Sequence, residues 1–330
     1  MSLKDIIGQA KTIGMLSGII ERHRVASSYL FCGEPGIGKK ATAVNFAKAL
    51  NCLKPESPAT GQSSHRARID ACDECDSCVK IEARTHPDFL LVSPEDRQIR
   101  IEEIRMIDDA LSFKPFEGKK KIVIVDDAET MNISAANAFL KTLEEPPEES
   151  VIILVSSKPD MLPPTIRSRC SRINFAPLPE DSCKEILGRK IPGNNIELLA
   201  RLSMGRPGMA LSNDLLEERT WFLDLFNGML SAGKDGWTSR EDMERWFEHV
   251  LPLFRDMAVF KITGDRSRLI NSDMDDHLDR LINSVDLKVI IIIYGKLSQL
   301  RRLLMFNLNK SITWHYTASL LRKDLLLHNA

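Results

Sequence analysis

The feature that most constrains the fold of this chain is a glycine-rich turn, GEPGIGKK, at residues 33–40. It follows the apolar, β-prone stretch Ser28–Cys32 and precedes a segment, 39–50, rich in helix-forming residues. The spacing G-x-x-x-x-G-K between a strand and a helix is the P-loop pattern, in which backbone N–H groups, a helix N-terminus and a lysine surround phosphate oxygens. The sequence therefore predicts a nucleotide-binding turn whose contacts are Gly33, Gly36, Gly38, Lys39 and Lys40.

The residue that follows the P-loop lysine departs from the usual pattern. Most P-loops have serine or threonine there, and its hydroxyl ligates magnesium. Lys40 cannot be that ligand, and Thr42 should face another side of the helix. Glycine-rich turns also occur without ligands, so the sequence leaves nucleotide binding open. If ATP binds, we expect the binding to depend on Lys39 and only weakly on magnesium.

Three further short apolar runs alternate with amphipathic segments of helix length. They are DFLLV at 88–92, KIVIVDD at 121–127 and VIILVSS at 151–157. Strands that are apolar on both faces are typical of a parallel sheet with helices on each side. Together with the P-loop, these runs predict an α/β domain of the RecA-like P-loop class.

The run at 121–127 has the form of a Walker B strand. Asp126 stands at its C-terminal end, where a carboxylate can hold magnesium. The alternative is an ordinary buried strand that ends in two solvated aspartates. Active ATPases of the AAA+ class usually have glutamate in the next position to polarise water, and Asp127 is one methylene shorter. This pair therefore disfavours hydrolysis.

Four of the seven cysteines form a pattern typical of a metal site, with the spacing C-x19-C-x2-C-x2-C. Four thiolates at such spacing can hold one zinc ion in a closed, structural, tetrahedral site, and the alternative is a set of redox thiols. A nucleic-acid-binding zinc ribbon would need basic and aromatic neighbours, whereas DACDECDSC is acidic. We expect His86 to be a structural residue rather than a further ligand. The expected ligands are Cys52, Cys72, Cys75 and Cys78.

Composition and patterning set the remaining limits. With 45 basic and 46 acidic residues, the net charge of -1 provides no overall field that attracts nucleic acid. No apolar run approaches the ~20 residues that cross a bilayer, and the N-terminal residues do not resemble a secretory signal, so we expect a cytoplasmic protein. The pattern becomes helical after residues 172–176, which predicts three domains. They are a P-loop domain with the cysteine module at 52–78 (1–176), a small helical lid (177–213) and an α-helical C-terminal domain (214–330).

Several motifs, in order along the first 210 residues or so, resemble those of one family, the clamp-loader AAA+ proteins. They are DIIGQ at 5–9, YLFCGEPGIGK at 29–39, AKALNC at 47–52, HPD at 86–88, AANAFLKTLEEPP at 135–147, LPPTIRSRC at 162–170 and GRPGMAL at 205–211. The resemblance implies an ATP-driven assembly that loads the ring-shaped sliding clamp on primed DNA in replication. It implies gamma/tau-type ATPase subunits and a delta subunit as partners, and a C-terminal domain that forms a collar in a hetero-oligomer.

Within this family, the chain resembles the subunit that does not hydrolyse ATP. The hydrolysing subunits have serine or threonine after the P-loop lysine, an Asp-Glu pair in Walker B and a sensor arginine in the lid, where this chain has Lys40, Asp127 and Gly208. The resemblance makes Arg169 an arginine finger that acts in trans on a neighbour's ATP. The chain is then part of a DNA polymerase holoenzyme and not an ATPase alone. The alternative is a self-sufficient gamma/tau-like ATPase.

Overall fold

The computed structural model describes residues 1–55, 70–191, 195–212, 214–231, 236–272, 281–282, 285–306 and 308–326. The chain forms two compact units, Met1–Ile186 with Gly205–Gly208 and Leu187–Met204 with Met209–Ala330. The division into three domains that we derived from the sequence stays a prediction. Part of the cysteine module, 56–69, lies outside the described residues.

A parallel sheet forms the centre of the first unit. Its strands among the described residues are β1 (Ser28–Cys32), β2 (Phe89–Val92), β3 (Lys121–Val125), β4 (Ser150–Ser156) and β5 (Ser171–Asn174). They lie in the order β2-β3-β4-β1-β5. The sequence predicted β1 with its observed bounds and β2 to β4 to within two residues at each end. The predicted parallel α/β architecture is thus confirmed, and it fits a P-loop AAA+ fold.

The central strands explain why their sequences are apolar without alternation. Every residue of β1 and β4 is buried, because each strand has a neighbour on both sides and helices on its faces. On the edge strand β5 only Ile173 is buried. Since the carboxyl ends of parallel strands lie at the same edge of a sheet, the P-loop after β1 lies near the residues that follow β3 and β4.

Helices cover this sheet or connect its strands. Among the described residues they are α1 (Ala10–Glu21), α2 (Lys39–Asn51), α3 (Asp76–Glu82), α4 (Ile101–Leu111), α5 (Ile133–Glu144) and α6 (Pro164–Arg167). On one face of the sheet, the core combines Ile104 and Ile107 of α4 and Phe139 of α5 with Leu30 and Ile152 of the strands. Three further helices follow: α7 (Glu180–Lys190), α8 (Ile196–Leu202) and α9 (Pro207–Ser212).

In the second unit, the regular secondary structure of the described residues is helical. Its core contains three buried tryptophans, and the ring of Trp237 lies 5.5 Å from Trp246 and 5.1 Å from Trp314, edge to face. The main helices are α10 (Leu215–Leu230), α11 (Arg240–Thr263), α12 (Leu287–Leu303) and α13 (Lys310–Leu326). Among the described residues, no helix has both the length and the apolar character that crossing a bilayer requires.

The run VIIIIY at 289–294 is locally β-like, but the longer sequence pattern around it, 278–304, has the period of a buried helix, and the run lies inside α12. We expected a buried helix, but only one face is buried. Ile290 and Ile293 are fully enclosed, whereas Ile291 and Ile292 are 54% and 44% exposed. The helix therefore presents apolar side chains on two faces, of which one packs in the core.

Candidate functional site

The P-loop turn connects β1 to α2 and has the backbone that its glycines permit. Gly36 and Gly38 have φ values of 74° and 95°, in the left-handed region that side chains disfavour. A Cβ atom on Gly33 would lie 2.6 Å from Ile37 Cδ1 and 2.7 Å from the Phe175 carbonyl oxygen. The predicted turn is therefore formed at the carboxyl end of β1, with its glycines required by backbone geometry and close approach.

Lys39, the P-loop lysine, bonds to its own turn. Its Nζ donates to the carbonyl oxygens of Gly33 and Glu34 at 2.7 Å each and to Ser157 Oγ, just after β4, at 3.1 Å. The residue is 5% exposed, and burial lowers the pKa of its ammonium, although nearby carboxylates oppose that shift. All three ammonium hydrogens of Lys39 thus have acceptors within the protein.

Lys40 forms an ion pair with the Walker B aspartate. Its Nζ lies 2.8 Å from Asp126 Oδ2, and the Asp126 side chain is 14% exposed. In P-loop ATPases, magnesium is held between the hydroxyl after the P-loop lysine and this aspartate. Here a lysine replaces the hydroxyl, and its ammonium neutralises the carboxylate. Thr42 cannot substitute, since its hydroxyl donates to the Gly38 carbonyl within α2 at 2.9 Å.

Four carboxylates surround the two lysines at this edge of the sheet, and Arg206 pairs with one of them, Glu34, at 3.8 Å. Lys39 has four acidic neighbours that act on its charge, and burial together with two of these neighbours raises the pKa of Asp127. Asp127 also adopts φ 45°, an uncommon value for a residue with a side chain. An excess of negative charge opposes phosphate binding. The four carboxylates are those of Glu34, Asp126, Asp127 and Glu129.

Gly208 lies directly on the P-loop, within the same compact unit. Its N–H donates to the Gly36 carbonyl oxygen at 2.9 Å. A Cβ atom at this position would lie 2.8 Å from both Gly36 Cα and Gly36 O, which are backbone atoms. A side chain therefore does not fit here without a backbone shift. The position that the resemblance aligns with the sensor arginine accepts only glycine in this structure.

The four predicted cysteines lie together at the start of α3 and the end of α2. Their Sγ atoms are all within 4.8 Å of one another, with Cys52 Sγ at 3.5 Å from Cys72 and 3.9 Å from Cys75. Tetrahedral zinc with Zn–S bonds of about 2.3 Å separates its sulfurs by roughly 3.8 Å, so these thiols fit such an ion. His86 lies outside this group, is 3% exposed and accepts from the Asp88 N–H, as expected of a structural residue.

Arg169 follows α6 and precedes β5. Its Nη2 lies 2.5 Å from Glu144 Oε1, at the end of α5, and its Nη1 donates to the Thr165 carbonyl oxygen at 2.9 Å. The side chain of Arg169 is 34% exposed and that of Glu144 is 48% exposed. The guanidinium is thus accessible, and two of its N–H groups are held by its own module.

The comparisons with known proteins agree with these features. A family model described as DNA polymerase III, delta subunit, matches residues 8–179. The DNA polymerase III subunit delta' of Pseudomonas aeruginosa is 32% identical over 267 residues, which are 77% of this chain and 78% of that protein. This chain belongs to the delta-prime family of DNA polymerase III. The clamp-loader family expected from the sequence is thereby confirmed.

Two further relatives separate the delta-prime assignment from the gamma/tau alternative. The subunit delta' of Bacillus subtilis is 26% identical over 281 residues, 81% of this chain and 82% of that protein. A tau/gamma subunit of Haemophilus influenzae is 32% identical over 192 residues, which are 58% of this chain and only 26% of that protein. The delta-prime similarity extends over most of both chains, so the gamma/tau alternative is less favoured.

Several residues of this delta-prime family member matter to the site but escaped sequence reasoning. Ser157 contacts Lys39, and Glu129 accepts from the Ser157 and Lys158 N–H groups at 2.9 and 3.1 Å. Lys48, 1% exposed, binds the carboxylates of Asp73 and Glu82 beside the cysteine cluster. Their contacts join distant segments, and isolated polar residues leave no local spacing signal. For Lys48, a charged residue on the apolar face of α2 was a sequence feature that could have indicated a buried ion pair.

Proposed function

We propose that this chain is the non-hydrolysing delta-prime subunit of a DNA polymerase III clamp loader, which helps to place the sliding clamp on primed DNA. The observation that carries this proposal is the ion pair between Lys40 and Asp126, 2.8 Å between Nζ and Oδ2. Without the magnesium ligands, the charge that develops on a transferring γ-phosphate has no metal to stabilise it. The subunit therefore acts as a scaffold and a partner rather than as an ATPase.

Two further contacts support an idle nucleotide site. Lys39 is occupied by acceptors within the P-loop, and Gly208 leaves no room for a sensor arginine. ATP that binds this P-loop would do so through Gly33, Gly36, Gly38, Lys39 and Lys40, without a metal bridge to Asp126. Such binding has a structural role and no catalytic one.

The catalytic contribution that we propose is made by Arg169 to ATP on a neighbouring gamma/tau-type subunit. An arginine supplied in trans stabilises the spreading charge of the γ-phosphate and contributes about 10³-fold or more in rate. A planar fork of N–H donors suits phosphate oxygens, whereas the compact ammonium of lysine does not reproduce it. In this proposal the delta subunit, the clamp and DNA are engaged through the assembled complex.

Structural roles complete the proposal. Zinc held by the four cysteines ties the end of α2 to the start of α3, where these ligands lie. The residues 177–213 form the helical lid, and the helices of 214–330 form the collar that joins this subunit to its partners. We expect the protein in the cytoplasm.

The experiment is reconstitution of the loader from purified subunits with this chain, with Arg169→Ala, or without it. The isolated chain should show no phosphate release. The complete loader should need it for DNA-dependent ATPase and clamp loading, and Arg169→Ala should assemble normally but work slowly. Arg169→Lys serves as the matched variant that keeps the charge, and it should rescue little of the rate.

Two results would overturn the proposal. Magnesium-dependent turnover by the monodisperse chain, abolished by Lys39→Ala, would make it a self-sufficient ATPase. Undiminished loading at limiting ATP by a normally assembled Arg169→Ala complex would remove the trans role of the arginine.

A further inference from the structure

The guanidinium of Arg169 is held at two points of its own module. Glu144 Oε1 accepts from Nη2 at 2.5 Å, and the Thr165 carbonyl oxygen accepts from Nη1 at 2.9 Å. A guanidinium has five N–H donors in a fixed plane, so these bonds use two and leave three for another acceptor. The contacts therefore orient the group without consuming its capacity to bind phosphate.

Both anchors lie on elements that the core holds in place. In the last turn of α5, Thr142 and Leu143 next to Glu144 are 8% and 4% exposed, and Thr142 Oγ1 donates to Asp108 of α4 at 2.5 Å. Thr165 belongs to α6, whose next residue, Ile166, is fully buried. A long side chain bonded to two such points loses much of its rotational freedom before any neighbour arrives.

We propose that Glu144 is a positioning residue for Arg169. Its carboxylate fixes one edge of the guanidinium, so that the arginine meets the neighbour's γ-phosphate with its orientation already set. This inference rests on the proposed trans role of Arg169 and assigns a function to a glutamate of the LEEPP segment that neither binds nucleotide nor touches the reacting atoms. Nothing in the P-loop or Walker B residues predicts it.

The size of the effect follows from the exposure of the pair. An ion pair between two partly exposed side chains shifts an equilibrium by about two- to fivefold. Glu144→Ala removes the acceptor and should lower kcat of the assembled loader by about that factor, while the KM for ATP stays unchanged because the ground state gains little from the finger. Glu144→Gln keeps an oxygen acceptor and should retain more of the rate than Glu144→Ala.

A second arginine in the same segment provides the matched control. Arg167 pairs with Asp160 at 2.8 Å, and the Asp160 side chain is 89% exposed. Asp160→Ala removes a surface ion pair that does not involve the finger, so it should leave kcat unchanged. Combining Glu144→Ala with Arg169→Ala should be no slower than Arg169→Ala alone, since the glutamate acts only through the arginine.

The test measures steady-state ATPase of complexes reconstituted with each variant, with clamp and primed DNA, and thermal unfolding of each free subunit. A loss of kcat in Glu144→Ala, partial rescue by Glu144→Gln and no additivity with Arg169→Ala would support the proposal. An unchanged or faster Glu144→Ala loader beside a slow Arg169→Ala loader would overturn the positioning role and leave the trans arginine intact. If the loader with Arg169→Ala keeps its full ATPase rate, the proposed trans role of Arg169 is wrong, and the positioning role of Glu144 is wrong with it.

Discussion

The P-loop and the cysteine cluster both carry ligand-binding motifs, but they differ in the partners of their polar side chains. At the P-loop, Lys39 donates to three acceptors of the chain and Lys40 pairs with Asp126. At the cysteine cluster, four Sγ atoms lie within 4.8 Å of one another, at spacings close to those around a tetrahedral ion. In the first cluster an ammonium group pairs with the Walker B aspartate, and the second brings together four side chains of the kind that binds a metal ion.

The difference shows that a motif specifies residue types but not their partners. Lys39 lies at the spacing of a phosphate ligand, and its ammonium group already donates to two carbonyl oxygens of the turn and to Ser157. At the cysteine cluster, the Cys52 Sγ atom instead contacts the Sγ atoms of Cys72 and Cys75, and four thiols in contact are a poor substitute for a metal. Ligand dependence should therefore be strong at the cysteine cluster and weak at the P-loop.

The largest expected effect is at the cysteine cluster. Structural zinc sites contribute about 10 kcal/mol or more of binding free energy near neutral pH. We expect one zinc per chain by elemental analysis, and release of the metal with a lower Tm after chelation or in Cys75→Ser. Cys170→Ser is the matched control, because Cys170 lies outside the cluster and burial raises the pKa of its thiol to about 12. Folded protein that contains no zinc and has four titratable thiols would show that the cysteine cluster does not depend on a metal.

The next effect concerns the closure of the P-loop by Gly208. Gly208→Ala places a Cβ atom 2.8 Å from the backbone of Gly36 and should destabilise the protein by about 1–3 kcal/mol in denaturant unfolding. Gly228→Ala, within α10 and with nothing near its Cβ, should instead stabilise by about 0.5–1 kcal/mol through helix propensity. An equal increase in the free energy of unfolding in both variants would show that Gly208 does not pack against Gly36.

The smallest effect tests whether Lys40 takes the place of magnesium. Lys40→Thr frees Asp126 and supplies a hydroxyl, so ATP binding should become about tenfold tighter with magnesium than without it. The natural chain and Lys40→Ala should show a much smaller dependence. Calorimetry with ATP in the presence of magnesium or EDTA measures this. A strong magnesium dependence in the natural chain would mean that the ion pair opens readily and that the contrast between the two clusters is wrong.

The elements that sequence reasoning predicted best are those whose signal is local. The strand Ser28–Cys32 and the P-loop each depend on residues a few positions apart, and three of the four cysteines lie within seven residues. The structure forms the strand and the turn and brings the four cysteines together. The helix that contains the run at 289–294 was also predicted, but its burial was not, because which of two apolar faces packs depends on neighbouring helices. The contact between Glu144 and Arg169 was not predicted, since the two residues are 25 positions apart in the sequence.

The amino-acid sequence alone determined the parallel sheet, the family and the residues that depart from an active ATPase, because hydrophobic runs, glycine spacing and motif order are properties of the chain itself. Only the tertiary structure showed which contacts these departing residues make at the P-loop. The pairing of Lys40 with Asp126 and the closure of Gly208 on Gly36 join segments that are 86 and 172 residues apart. Such contacts form when the sheet brings the ends of its strands to one edge. The local sequence of one segment does not show which distant segment it will contact.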